Sequence, residues 1–350
     1  MQRGFFRDGQ IHPGTLEGDM EKFRKFLDPY IGLMLLTIGV AVLFPAHGQG
    51  ARVAGIAADA GIVFLFFLYG ARLSPQAALS GLMEWKLHVA VLLCTFALFP
   101  LLGLAIVPLF PSGFPPALVT GLIFLCILPS TVQSSIAFTS IAGGNVSAAI
   151  CAASASNILG VFVSPLLAGW LLQTQGVSLS FSVFRDILLQ LLAPFAVGQL
   201  LRPFIAEWIQ RKRAILSYVD RGSILLIIYV AFSKGMIEGI WSQVQPTDLL
   251  ILAAALCALL ALVLILTATI GRRLMRLTVE NEIVLQFCGS KKSLASGLPM
   301  ATILFSGSHL GMVVLPVMLF HQIQLIVCAV LARHYRHQTD LAASDTTTNG

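Results

Sequence analysis

The sequence predicts an all-α membrane protein: ten transmembrane helices in two inverted five-helix repeats, with the fourth and ninth helices discontinuous. Composition, the spacing of apolar stretches and two matching polar interruptions predict it. Of 350 residues, 57% are hydrophobic and 11% charged, with a mean hydropathy of +0.87. A soluble domain carries about 25% charged residues, so the bilayer is the expected surrounding. The net charge of +6 comes from basic residues scattered through loops rather than gathered on one face, and no nucleic-acid partner is expected. Cys94, Cys126, Cys151, Cys257, Cys288 and Cys328 all fall in apolar stretches without metal-ligand spacing. They read as reduced packing residues, and no metal or cofactor is expected.

A span needs about 20 mostly apolar residues. Ten stretches meet that rule: 29–46, 53–72, 87–109, 117–142, 146–173, 183–203, 215–236, 247–270, 282–307 and 310–333. The loops orient them. Arg3, Arg7, Lys22, Arg24 and Lys25 precede the first span, and Arg72 and Lys86 flank the loop after the second. Arg202, Arg211, Lys212, Arg213 and Arg221 lie in or beside the loop after the sixth, Arg272, Arg273 and Arg276 fill that after the eighth, and Arg333 and Arg336 follow the tenth. The alternate loops hold almost no basic residues. This asymmetry puts both termini in the cytoplasm of a bacterial-type inner membrane, and an even number of spans requires the same. Residues 1–28 lack the apolar core of a signal peptide and are expected to form a cytoplasmic tail. A second tail is expected over 334–350, with its end, LAASDTTTNG, disordered.

The fourth and ninth spans carry the chemistry. Gln133-Ser134-Ser135-Ile136-Ala137 is echoed by Lys291-Lys292-Ser293-Leu294-Ala295, each in the fourth span of its half. Gly289, Ser290, Ser296, Gly297 and Pro299 surround the second pentad. A charged side chain at the bilayer centre costs about 2.5–3.5 kcal/mol even on a lenient scale, and this chain places two in succession. Serine, glycine and proline at that depth predict broken helices, which survive only where they line a cavity or are buried in protein. Interrupted helices in corresponding positions of inverted halves point to a transport site. Small residues also serve close helix packing, but packing does not call for lysines.

These residues bring a family into view. The runs LPSTVQSSIAFTSIAGGNVSAA (128–149), Ser164-Pro165-Leu166-Leu167 and CGSKKSLASGLP (288–299) resemble the bile acid:sodium symporter superfamily, in particular its divergent SBF-like branch. Tyr69-Gly70-Ala71-Arg72-Leu73 and Phe320-His321-Gln322-Ile323 support the match. The resemblance implies that 29–333 forms a ten-helix transporter domain, with panel helices 1, 2, 6 and 7 and core helices 3–5 and 8–10. It also implies that the broken helices cross near the membrane midplane and that the core moves against the panel. Departures from the family pattern fall at its sodium ligands. Ser134-Ser135 stands where sodium-coupled members carry Ser-Asn, Phe287 matches their glutamate, and Lys291 and Thr95 match two glutamines. Sodium prefers oxygen ligands, and an ammonium placed among them opposes it.

The candidate site is therefore Lys291, Lys292, Ser134, Ser135, Ser293, Gln133, Thr95 and Ser290, with Asn157 on the fifth span and His321 and Gln322 on the tenth. Gln286 could offer an oxygen to a lysine or serve packing, and Glu280 and Glu282 read as surface ion-pair partners. The expected function is secondary active transport of a small organic anion by alternating access. Lys291 is expected to be the coupling charge and Lys292 the lesser partner, with coupling to a proton or to sodium. The alternatives are a sodium-coupled organic anion symporter and a non-transporting membrane scaffold. A carrier needs a cavity at the broken helices, whereas a scaffold could fill it with side chains.

Overall fold

The computed structural model describes residues 29–72, 84–172, 188–239, 242, 244–305 and 310–348. The expected N-terminal tail with its basic residues, the loop 73–83 and the start of the sixth span lie outside the described residues. Among those described, every regular element is helical. Helix α1 (Pro29–Leu43) and α2 (Gly48–Arg72) are followed by α3 (Trp85–Leu93), which passes through a π-helical turn, Cys94–Leu98, into α4 (Phe99–Ile106). Then come α5 (Pro116–Ile127), α6 (Gln133–Ile141) and α7 (Val146–Leu171). The remaining helices are α8 (Ala193–Arg211), α9 (Arg213–Ile237), α10 (Pro246–Thr269), α11 (Val279–Gly289), α12 (Leu294–Leu304) and α13 (Leu310–Thr348).

Among the described residues, six helical segments are long and apolar enough to cross a membrane: Gly48–Arg72, Trp85–Leu109, Val146–Leu171, Ala214–Ile237, Pro246–Leu274 and Leu310–His337. Gly32–Leu43 and Pro116–Ile127 are apolar but shorter. These helices and α8 expose large apolar side chains, Leu36, Leu200, Phe204, Leu250 and Ile265 among them, a surface that suits lipid and not water.

Local chemistry explains the interruptions. Pro129 supplies no N–H and drives Leu128 into an extended conformation (φ −69°, ψ 152°), so α5 stops at Ile127. The chain becomes helical again at Gln133. In the ninth segment α11 ends at Gly289, and the Ser293 hydroxyl accepts from the Ser296 N–H to cap the new helix α12. Helix α13 runs to Thr348, past the expected end at 333 and through most of the tail expected to be disordered. No glycine or proline interrupts 334–349, so nothing local stops the helix.

Two groups of helices pack against one another. In one, α2 lies along α8, and α9 packs on α1 and α2. In the other, α13 packs on α5, α10 and α12, while α11 packs on α3, α6 and α7. Helix α9 also touches α12 and α13, which places it at the junction. The α2–α8 crossing is so close that it admits only glycine. A Cβ at Gly70 would fall 2.0 Å from the Phe195 carbonyl oxygen, and one at Gly198 would fall 2.0 Å from that of Phe67. Small residues at such crossings let backbones approach, which drives association where no hydrophobic force between helices exists. Gly70→Ala and Gly198→Ala should each destabilise the protein by about 1–3 kcal/mol. Gly169→Ala, whose Cβ meets nothing within 4 Å, should not; thermal unfolding in detergent compares the three.

Candidate functional site

The two interruptions meet, and their freed backbone groups are shared. The Ser293 N–H donates to Pro129 O (2.8 Å), Ser130 Oγ to Cys288 O (2.6 Å) and Ser135 Oγ to Phe287 O (3.0 Å). Helix α7 contributes Ser164 Oγ to Ile127 O (2.7 Å), Asn157 Nδ2 to Ser130 O (2.7 Å) and Ser156 Oγ as acceptor for the Ser130 N–H (3.0 Å). Gln324 of α13 grips the second break. Its Oε1 accepts from the Lys292 N–H and its Nε2 donates to Lys292 O, both at 2.9 Å. Gln324 Nε2 also lies 2.9 Å from His321 Nδ1.

Both lysines are buried, Lys291 at 0% and Lys292 at 1% exposure, but their ammonium groups face different surroundings. Lys292 Nζ donates to three carbonyl oxygens: Thr95 and Cys126 at 2.7 Å and Leu128 at 2.8 Å. Each of these carbonyls is free for a stated reason. In the π-helical turn, the Phe99 N–H bonds to Cys94 O, and residue 100 is a proline, so Thr95 O has no helical partner. Cys126 lies in the last turn of α5, where carbonyls go unpaired, and Leu128 is already extended. The Phe99 ring closes the cage, its centroid 4.2 Å from Nζ. Lys291 Nζ has no hydrogen-bond partner among the described residues and sits 3.8 Å from the Phe138 ring centroid. The lysine that meets Thr95 is thus Lys292, not Lys291: the chain is unwound over 290–293, so neighbouring side chains diverge.

Beside the breaks lies a cavity of about 950 Å³. Gln133, Ser134, Asn157, Ser293 and His321 line it. Lys291, Lys292, Thr95, Ser135, Ser290 and Gln322 do not. Ser135 and Ser290 are spent on the carbonyls of Phe287 and Gln286, and Ser134 Oγ donates to Thr131 Oγ1 at 2.8 Å. Gln286 bonds Thr267 and Leu264 O and no lysine, which makes it a packing residue. Glu282 is buried rather than on the surface, held by Arg272 Nε and the Tyr335 hydroxyl at 2.7 Å each. The cavity also takes residues that sequence reasoning passed over: Tyr69, Arg72, Asp220, Arg221 and Arg333. An Asp-Arg pair inside an apolar stretch, at 220–221, was the available signal.

The helices enclose a cavity beside two facing breaks that polar and apolar side chains line together. The chain is a member of the SBF-like CPA transporter family, whose model matches residues 28–337. It is therefore a multi-pass membrane transporter within the bile acid:sodium symporter superfamily. It is 50% identical to an uncharacterized Pseudomonas aeruginosa protein, PA2026, over 93% of this chain and 98% of that one. It is 47% identical to Escherichia coli "Putative symporter YfeH", over 91% and 96% respectively. Sodium/bile acid cotransporter 7 of Rattus norvegicus is 28% identical over 77% of this chain and 80% of its own length.

The unequal surroundings of the two lysines imply unequal consequences. Lys292→Met strands three buried carbonyls, each worth about 1–3 kcal/mol when unsatisfied, and should sharply lower the thermal midpoint and the folded yield. Lys291→Met replaces an ammonium that makes no hydrogen bond by an apolar chain of similar volume, and should be neutral or stabilising. Thermal unfolding of both variants in the same detergent checks the contrast.

Proposed function

We propose that this protein is a secondary carrier of a small organic anion in a bacterial inner membrane, working by alternating access, with both termini in the cytoplasm. In this reading the chain forms ten spans in two inverted repeats. Helices α1, α2, α8 and α9 form the panel, and the remaining helices form the core that moves against it. The cavity at the two breaks carries the proposal, since a scaffold has no need of one. Arg72, Arg221 and Arg333 line it, with Asp220 as the one carboxylate among its described lining residues. The N-termini of α6 and α12 open beside it through Gln133, Ser134 and Ser293, adding positive dipole where an acid group would sit.

In this reading Lys292 is a cation tethered to the protein. Three carbonyl oxygens at 2.7–2.8 Å form the kind of cage a hard monovalent ion would take, and the ammonium already fills it. Lys291 is the charge that can change, because no hydrogen bond holds its proton and Phe138, the ring it faces, lines the cavity. The second reading is a sodium-coupled symporter, favoured by the name of the rat relative.

Uptake of a panel of organic anions into proteoliposomes, with sodium replaced by choline at fixed pH, separates the two. Transport should persist without sodium, and Lys291→Gln should abolish its response to a proton gradient at matched expression. A saturable requirement for sodium would establish the second reading, and the absence of uptake for any anion would end both.

A further inference from the structure

The cavity wall formed by α2 and α9 holds an ion pair joined by one hydrogen bond. Arg72 closes α2 and Asp220 lies two turns into α9, and both line the cavity. Arg72 Nη1 donates to Asp220 Oδ2, with the side chains 28% and 14% exposed. A guanidinium presents five donors in a planar fork that matches two carboxylate oxygens at once. Only one of its nitrogens is engaged here among the described residues. The other carboxylate oxygen, Asp220 Oδ1, is buried and has no hydrogen-bond partner among the described residues. A structural salt bridge in an apolar setting ordinarily saturates its donors and acceptors, because unpaired ones are costly there. This pair leaves the better, bidentate geometry unmade.

The surroundings fit a third participant. Tyr69, one turn before Arg72, lines the same wall, and its hydroxyl reaches Ala295 O at 3.5 Å, beside the second break. Arg221, which follows Asp220 in the chain, also lines the cavity. Ser293 and Ser296 at the start of α12 also line the cavity, and Ser296 Oγ is buried without a hydrogen-bond partner among the described residues. An acid group held by Arg72 would thus share the cavity with the hydroxyls of Ser293 and Ser296.

Resting on the organic-anion reading, we propose that Asp220 is a resident stand-in for the acid group of the cargo. A carboxylate on the solute takes the Arg72 fork with both oxygens and displaces Asp220. Arg72 then selects for a carboxylate, and Asp220 sets how tightly it is held by competing for the same guanidinium. Asp220 also keeps Arg72 paired when no cargo is bound.

The test needs no knowledge of the natural cargo. Thermal unfolding of the purified full chain is titrated with acetate and with benzoate at constant ionic strength, with acetamide and benzamide as uncharged controls. Asp220→Asn keeps the shape of the side chain and removes the competing charge. It should respond to the carboxylates at concentrations at least tenfold lower than wild type does, and not to the amides. Asp220→Ala should unfold at a lower temperature than wild type and be restored by acetate, while the double variant Arg72→Gln/Asp220→Ala should show no restoration. Equal carboxylate sensitivity in wild type and Asp220→Asn would overturn the proposal, as would restoration that survives the loss of Arg72; either would leave the pair a strut between α2 and α9. The anion uptake screen decides the carrier reading separately, so a failure of one is distinguishable from a failure of the other.

Discussion

The structure depends on satisfying the backbone groups that two broken helices expose in an apolar interior. Outside water, an unsatisfied N–H or C=O costs several kcal/mol, and two facing breaks expose many. Here five successive carbonyls, from Cys126 to Ser130, are each met by a different donor or by the same lysine. The donors come from α7 and from the second break itself, so neither break is stable without the other. The lysine-bearing segment, Gln324 of α13 and the serines of α7 follow from this one constraint. Lys292 fits it well because an ammonium has three donors and no acceptor, and three carbonyls await it.

That constraint also separates the roles of the lysines. A side chain that completes a carbonyl cage cannot move without exposing the cage, so Lys292 belongs to the framework. Lys291 makes no hydrogen bond among the described residues and lies near two ring faces, Phe138 at 3.8 Å and Phe287 at 5.7 Å. A cation over an aromatic face is held by a weak and non-directional attraction. Change at Lys291 therefore disturbs little around it, while Phe138 stands between it and the cavity.

The sequence announced the breaks clearly, since Pro129, Gly289 and the serine and lysine pentads interrupt otherwise apolar runs. It could not announce which way each lysine points. Beyond the end of a helix there is no fixed angle between neighbours, so Lys291 and Lys292 are interchangeable in sequence and opposite in space. The cavity's charged wall was hidden for another reason. Arg72 and Arg221 look like loop-flanking charges that orient a topology, and Asp220 is 148 residues from Arg72. Only the packing of α9 against α2 joins them. Among the polar residues of the tenth helix, His321 and Gln322 drew notice, yet Gln324 makes the bonds to Lys292. One turn of helix separates the residues that face the cavity from those that face the break.

A tethered cation changes the energetics of the proposed cycle. A sodium ion that enters from one side and leaves on the other performs work, whereas an ammonium fixed to the chain returns to its starting point in every cycle. It contributes no driving force. Moving one negative charge toward a negative interior costs about 2.3 kcal/mol per 100 mV. A monovalent anion carried alone would therefore run outward. Inward accumulation requires a co-transported positive charge, and in the proposed arrangement the available route for it is a proton. Lys291 makes no hydrogen bond among the described residues, and the Phe138 ring beside it lines the cavity. Under the proposed cycle, uptake and export would differ in whether Lys291 cycles a proton, while the cage around Lys292 would stay the same in both.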